Sequence, residues 1–239
     1  MPGRRRDSGR CPSQGVQSVN ASQDWWVTER GEAWLLALQA AARGLRYPDA
    51  GWVCALLDGA WIDALDEVLH TLELDDQSLR AAVTGLPAAE EQALLELEKE
   101  YTYLFISAYP HVPASPYASA YSGEGLLMGE PAEAARRAYG AAGLAIHDAF
   151  GEMPDHAAAE IEFLAWLGME AIRAREAGDA ETETARITQL DSFLKEQVQP
   201  WIPEFCRRIE GAARMPFYRR LAGFLSALLA HTPVDTSVH

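Results

Sequence analysis

Apolar residues recur every three or four positions along nearly all of this chain, and the alternating runs that mark strands are almost absent. That pattern confines the fold to packed helices. From about Asp24 the series Trp25, Trp34, Leu35, Leu38 and Ala41 traces one helical face, with Gly44 as its end. Pro48 starts a second stretch buried through Trp52, Leu56, Trp61, Leu65, Val68 and Leu69, which Gly59 divides. Pro87 with Glu90 and Glu91 reads as a further helix start, because proline suits the first turn and acids suit the positive end of the dipole. Its stripe runs through Leu94, Leu97, Tyr101, Leu104 and Phe105 until the prolines at 110, 113 and 116 stop it. A loop over 107–129 follows, then a short helix from Glu130-Pro131 to Tyr139, closed near Gly143. The strongest helix begins at Pro154, buries Ile161, Leu164, Ala165, Trp166 and Leu167, and ends near Gly178. Another covers about 180–199, Pro200 and Pro203 bracket Trp201, and Met215-Pro216 opens a last helix with Phe217, Leu221, Phe224, Leu225 and Leu228. The expectation is an all-α fold of nine or ten helices in a single domain over residues 24–232, with two helical lobes hinged at the Pro-rich loop as the open variant.

With 239 residues the chain is long enough for one sizeable core. Its apolar runs fall short of the roughly 20 residues that cross a bilayer, so it reads as soluble. Cys11, Cys54 and Cys206 are few, far apart and odd in number, which fits a reducing compartment better than a disulfide scaffold or a zinc site. The formal net charge is −15, and the first ten residues, with Arg4, Arg5, Arg6 and Arg10 against Asp7, carry +3, leaving −18 on the rest. Such a surface repels nucleic acid and attracts basic ligands. Adjacent arginines at the start invite comparison with a twin-arginine export signal. The stretch after them is rich in Ser, Gly, Gln and Asn rather than apolar, so residues 1–23 read as a disordered basic tail on a cytoplasmic protein.

Chemistry-bearing residues gather in two places. Tyr101, Leu104 and Phe105 share a helical face that leads directly into the loop carrying Pro116, Tyr117 and Ser119, with Tyr121 beyond. By itself such a stripe is core; its entry into a long Pro-rich connection raises the functional reading. Pro154, Asp155 and His156 stand at a helix head, where proline and an acid have a plain capping explanation. A cation is disfavoured there, so His156 reads as a neutral hydrogen-bonding group. His156 and Glu160 lie four apart beside Asp155, a spacing that leaves a metal-dependent hydrolase as an alternative. No second ligand set, nucleophile motif, phosphate loop or His-Glu-x-x-His accompanies them. The acids from Asp58 to Asp76 read mainly as a solvated face, whereas Glu96, Glu98, Glu100, Glu130 and Glu152 lie closer in sequence to the two loops.

In these motifs the chain resembles the TorD/DmsD family of redox enzyme maturation proteins, related to the NarJ-type chaperones. The resemblance rests on Tyr101-x-x-Leu104-Phe105, then Pro116-Tyr117-x-Ser119, then Pro154-Asp155-His156 running into Glu160 and an apolar helix. It covers about 25–230 in helical layout and 97–167 in motif; tyrosine stands where relatives often have tryptophan, and the Arg-rich tail is a departure. What the resemblance implies is a non-enzymatic, cofactor-free cytoplasmic chaperone. Its partners would be the twin-arginine signal peptide and the apo form of a molybdenum-cofactor oxidoreductase, and it would itself be a monomer or a domain-swapped dimer. Tyr101, Leu104, Phe105, Pro116, Tyr117, Ser119, Pro154, Asp155, His156 and Glu160 are the expected peptide-binding set, with Leu104 and Phe105 as a groove floor. A permanent structural subunit of a larger complex is the remaining alternative.

Overall fold

A computed structural model describes residues 25–75, 77–123, 129–144 and 152–232. Among these residues the fold is ten α-helices with no strand: α1 (Glu29–Gly44), α2 (Ala50–Leu57), α3 (Ala60–Leu72), α4 (Gln77–Thr84), α5 (Glu90–Tyr101), α6 (Glu130–Ala141), α7 (Ala157–Glu176), α8 (Ala180–Phe193), α9 (Ile202–Ala212) and α10 (Pro216–Ala230). The tail reading for 1–23, and Cys11 with it, lies outside the described residues. No helix among the described residues is long and apolar enough to cross a membrane.

Local chemistry sets the boundaries. Thr28 and Asp49 cap α1 and α2 by accepting from the amides of Gly31 (3.2 Å) and Trp52 (3.0 Å). Gly59, at φ +84°, makes the break between α2 and α3 that an L-residue would resist. Two boundaries differ from the sequence expectation. α7 starts at Ala157, three residues after Pro154, because His156 serves as its N-cap. Helix α5 passes at Tyr101 into a wider π-turn, Thr102–Ile106, and α8 does the same over Leu194–Val198. Helices α4 and α9 are additional to those the apolar pattern outlined.

One continuous core cluster joins residues on both sides of the Pro-rich loop, so the variant with two separate lobes gives way to a single packed body. At its centre α1 lies against α7, with α8 on the far side of α7 and α10 beside α9. Gly168 permits the closest approach, since a Cβ there would stand 2.3 Å from the Cδ2 of the fully buried Leu35. Polar ties run through the same core. Trp34 Nε1 donates to the Leu228 carbonyl at 2.7 Å, covering the end of α10 from α1. Buried Glu100 accepts from the amides of Arg214 and Met215 (3.1 Å), and so caps the start of α10 from α5.

Gly168→Ala is expected to destabilise the protein by about 1–3 kcal/mol, as overpacked cores do, and Leu35→Ala in the same chain should recover part of that loss. Urea unfolding of both variants checks this; an unchanged midpoint for Gly168→Ala would contradict the close helix contact.

Candidate functional site: a clamp between two loops

The two motif segments meet. Residues 116–118 and 155–157 pair backbone to backbone, with the Ala118 amide donating to the Asp155 carbonyl (3.0 Å) and the Ala157 amide to the Pro116 carbonyl (2.8 Å). Tyr117 and His156 face each other in that bridge, their rings edge to face with centroids 5.3 Å apart. Side chains tighten it. Asp155 Oδ2 accepts from the Ser119 amide at 2.9 Å, and Tyr139, rising from α6, donates to the Pro154 carbonyl at 2.7 Å. Tyr121 donates to the Ser115 carbonyl at 2.9 Å, which folds the outer loop back on itself.

The depth of these residues differs from the sequence expectation. Asp155, Ser119 and Glu160 have no exposed surface, and His156 has 2%. As placed, Asp155 and His156 hold the clamp together and present no surface to a ligand. His156 Nδ1 accepts from the Ala158 amide (3.1 Å), which requires that nitrogen to be unprotonated. Burial, and then the charge of Arg46, push the imidazole down to about 4. The neutral histidine foreseen from its place at a helix head is therefore an N-cap.

Tyr101, Leu104 and Phe105 are likewise buried, at 3%, 0% and 4% exposure. Tyr101 donates to the Leu45 carbonyl (3.2 Å), and Phe105 packs edge to face on Tyr101 and Tyr218 at 4.8 and 5.8 Å. As placed, Leu104 and Phe105 are core, not the floor of an open slot. The reason is α9 and α10, whose Phe205 and Tyr218 fill the space the motif reading left open.

What the clamp leaves outside is a different set. Tyr117 is half-buried and its hydroxyl donates to the exposed Glu152 carboxylate. Tyr47, 47% exposed, lies edge to face on Tyr101 at 5.2 Å. Ile106 and Tyr109, on the chain leading from Tyr101 into the clamp loop, are 55% and 99% exposed. Of the acids singled out near the loops, Glu100 is spent on capping α10, Glu96 pairs with Lys99 and Glu130 with Arg137, so Glu152 is the one that reaches Tyr117. Asp63 and Asp66 pair with Arg80, away from the clamp. Sequence reading missed Tyr47, although its place before Pro48 marks an exposed turn, and it missed that Trp201 donates to Glu160 at 2.9 Å. A groove of about 350 Å³ between α1 and α7 is lined by Arg43, Arg46 and Arg173 with Glu162, Trp166 and Met169, and its arginines pair with Asp49, Glu162 and Glu170. No group of three or more His, Cys, Asp or Glu among the described residues is placed to hold a metal ion, so the ligand set of the hydrolase alternative does not assemble.

The His156 shift has a sign. A base whose folded value is depressed contributes stability above its unfolded value near 6.5, and that contribution is lost as pH falls toward 4. Between pH 7 and 4 the protein should lose roughly 3 kcal/mol more than a His156→Asn variant, which keeps a capping acceptor but does not titrate. Urea midpoints measured across that range check the difference; parallel curves would contradict the buried neutral cap.

The family model described as nitrate reductase delta subunit matches residues 65–207, more than half the chain, and includes both loops. Chaperone protein TorD of Vibrio cholerae is 34% identical over 140 residues, covering 56% of this chain and 62% of that protein. Chaperone protein TorD of Vibrio vulnificus is 33% identical over 161 residues, covering 64% of this chain and 73% of that protein. A crystal structure described as that of a redox enzyme maturation protein from Archaeoglobus fulgidus is similar over 83% of this chain and 94% of its own, at 21% identity and a TM-score of 0.48, a likeness too loose to build on. The two Vibrio relatives are named as chaperones. The chain belongs to the nitrate reductase delta subunit family, with the TorD chaperones among its relatives.

Proposed function

We propose that this protein is a cytoplasmic assembly chaperone that captures the twin-arginine signal peptide of a molybdenum-cofactor oxidoreductase and holds back export until the cofactor is in place. Family membership supports the chaperone role. The observation that carries the peptide reading is the rim of the clamp, where the Tyr117 hydroxyl meets the exposed Glu152 and Tyr47, Ile106 and Tyr109 stand in solvent nearby in the chain or on Tyr101. A twin-arginine peptide presents guanidinium forks followed by an apolar segment, which a carboxylate beside aromatic surface suits. In this reading Glu152 takes an arginine and Tyr47, Ile106, Tyr109 and Tyr117 take the apolar part. Pro116, Ser119, Pro154, Asp155 and His156 hold the rim in shape, and Tyr101, Leu104, Phe105 and Glu160 support it from below.

Magnitudes make the charged contact decisive. Burying about 400 Å² of apolar surface gains roughly 10 kcal/mol. Ordering the peptide costs about 2–5 kcal/mol and association at least about 4, so little apolar affinity is left. Charge-assisted hydrogen bonds at about 1.5–3 kcal/mol each then bring binding toward the micromolar range. The family description also names a subunit, which favours a permanent structural role as the second reading. Gel filtration of native extract separates the two, since a permanent subunit elutes only with its complex.

Calorimetry with a synthetic twin-arginine peptide tests the site. Glu152→Gln and Tyr109→Ala, both at exposed positions, should each weaken binding about 5- to 30-fold without loss of helical circular dichroism, and affinity should fall as salt rises. No binding by the wild type, or equal binding by both variants, would overturn the assignment. Asp155→Ala should instead lower stability together with binding, since it opens the clamp.

A further inference from the structure

Beneath the clamp three side-chain oxygens are sealed from solvent with no hydrogen-bond partner: Ser119 Oγ, Asp155 Oδ1 and Glu160 Oε1. All three residues are 0% exposed. The other carboxylate oxygen of each acid is engaged, Asp155 Oδ2 by the Ser119 amide and Glu160 Oε2 by Trp201 Nε1, both at 2.9 Å. No lysine or arginine forms an ion pair with either acid among the described residues. Asp155 sits just before the N-cap of α7, with its Oδ2 on the Ser119 amide. Glu160 lies further along α7, where its Oε2 accepts from a neutral indole donor. A buried carboxylate without a countercharge costs several kcal/mol, and a second negative charge nearby adds to that.

We propose that Glu160 is a protonated carboxylic acid at neutral pH, and that this neutral acid latches the head of α7 to Trp201 at the start of α9. A protonated Glu160 is both acceptor and donor: Oε2 takes the indole N–H at 2.9 Å, and the proton rests on Oε1, the oxygen without a partner. Folding at neutral pH then takes up one proton from solvent, at Glu160. Glu160 is a positioning residue for the rim, and the latch does not depend on which ligand that rim takes.

The surrounding charges agree with this. Burial, then the field of Asp155, push Glu160 well above the ordinary carboxylate range, and the Trp201 bond works the other way without offsetting them. From α6, Tyr139 faces the same acids and is held neutral by burial. His156 is neutral, and Tyr121, tilted on Trp201 at 5.2 Å, is kept in its hydroxyl form by burial despite Arg208. Glu162 acts on Tyr139 from the outer side of α7.

An acid whose folded value is raised binds its proton more tightly in the fold, so stability falls as pH rises above the unfolded value of 4.5 until Glu160 ionises. Infrared spectra of the full chain with its glutamates labelled with carbon-13 test the proposal at pH 7. The expected result is a labelled protonated-carboxyl stretch that Glu160→Gln removes and Trp201→Phe shifts. Relative to wild type, Glu160→Gln should also lose less stability between pH 5 and 8. A wild-type spectrum without that band, or a band that stays unchanged in Trp201→Phe, overturns the latch even if Glu160→Gln fails to fold. Peptide affinity is measured separately, so a missing ligand and a missing proton are distinguishable outcomes.

Discussion

Two backbone hydrogen bonds, from Ala118 to Asp155 and from Ala157 to Pro116, constrain everything built on them. A connection with prolines at 110, 113 and 116 lacks three amides and, among the described residues, forms only the single 3-10 turn Ala118–Ala120 of its own. It borrows order from the head of α7, whose body is central to the core against α1. Asp155 and His156 serve this junction from both directions. The aspartate reaches across to Ser119, and the histidine turns back to cap its own helix. Position at the surface is thus set by packing in the interior, and the rim inherits the rigidity of α7.

The sequence conveyed the helices well where proline, glycine and an apolar stripe coincided, as at Pro48, Gly59, Gly143 and Met215-Pro216. It conveyed α4 and α9 poorly for two separate reasons. Helix α4 is eight residues long and buries Leu79, Ala82 and Val83 behind a run of acids that reads as solvated. Helix α9 carries Pro203 in its first turn, where proline is at home, yet with Pro200 nearby the pair looked like an interruption. Losing α9 from view had a further effect, because its Phe205 is part of what closes the space beside Phe105.

Periodicity identifies a face but not what covers it. Tyr101, Leu104 and Phe105 form the stripe their spacing implied, and only the three-dimensional neighbours decide between an open slot and a filled core. The same limit applied to charge. Four of the five acids near the loops in sequence meet three different fates: Glu100 becomes a cap, Glu96 and Glu130 join surface pairs worth little, and Glu152 stands at the Tyr117 hydroxyl. An acidic composition therefore says little about where a basic ligand is met. Within the clamp Asp155 and Glu160 are sealed from solvent, and Glu152 is the acid left exposed at the Tyr117 hydroxyl.

The bond from the Trp34 indole to the Leu228 carbonyl spans 194 residues of sequence. Trp34 also packs with Trp25 and Trp26, so a cluster of three indoles near the beginning of the described chain is completed only by its last helix. At translation rates of about 5–20 residues per second, some 10–40 s separate the emergence of those rings from the arrival of their partner. A protein proposed to look after another polypeptide before it folds thus passes through such an interval itself, with its own aromatic surface uncovered until the helix that carries Leu228 has been made.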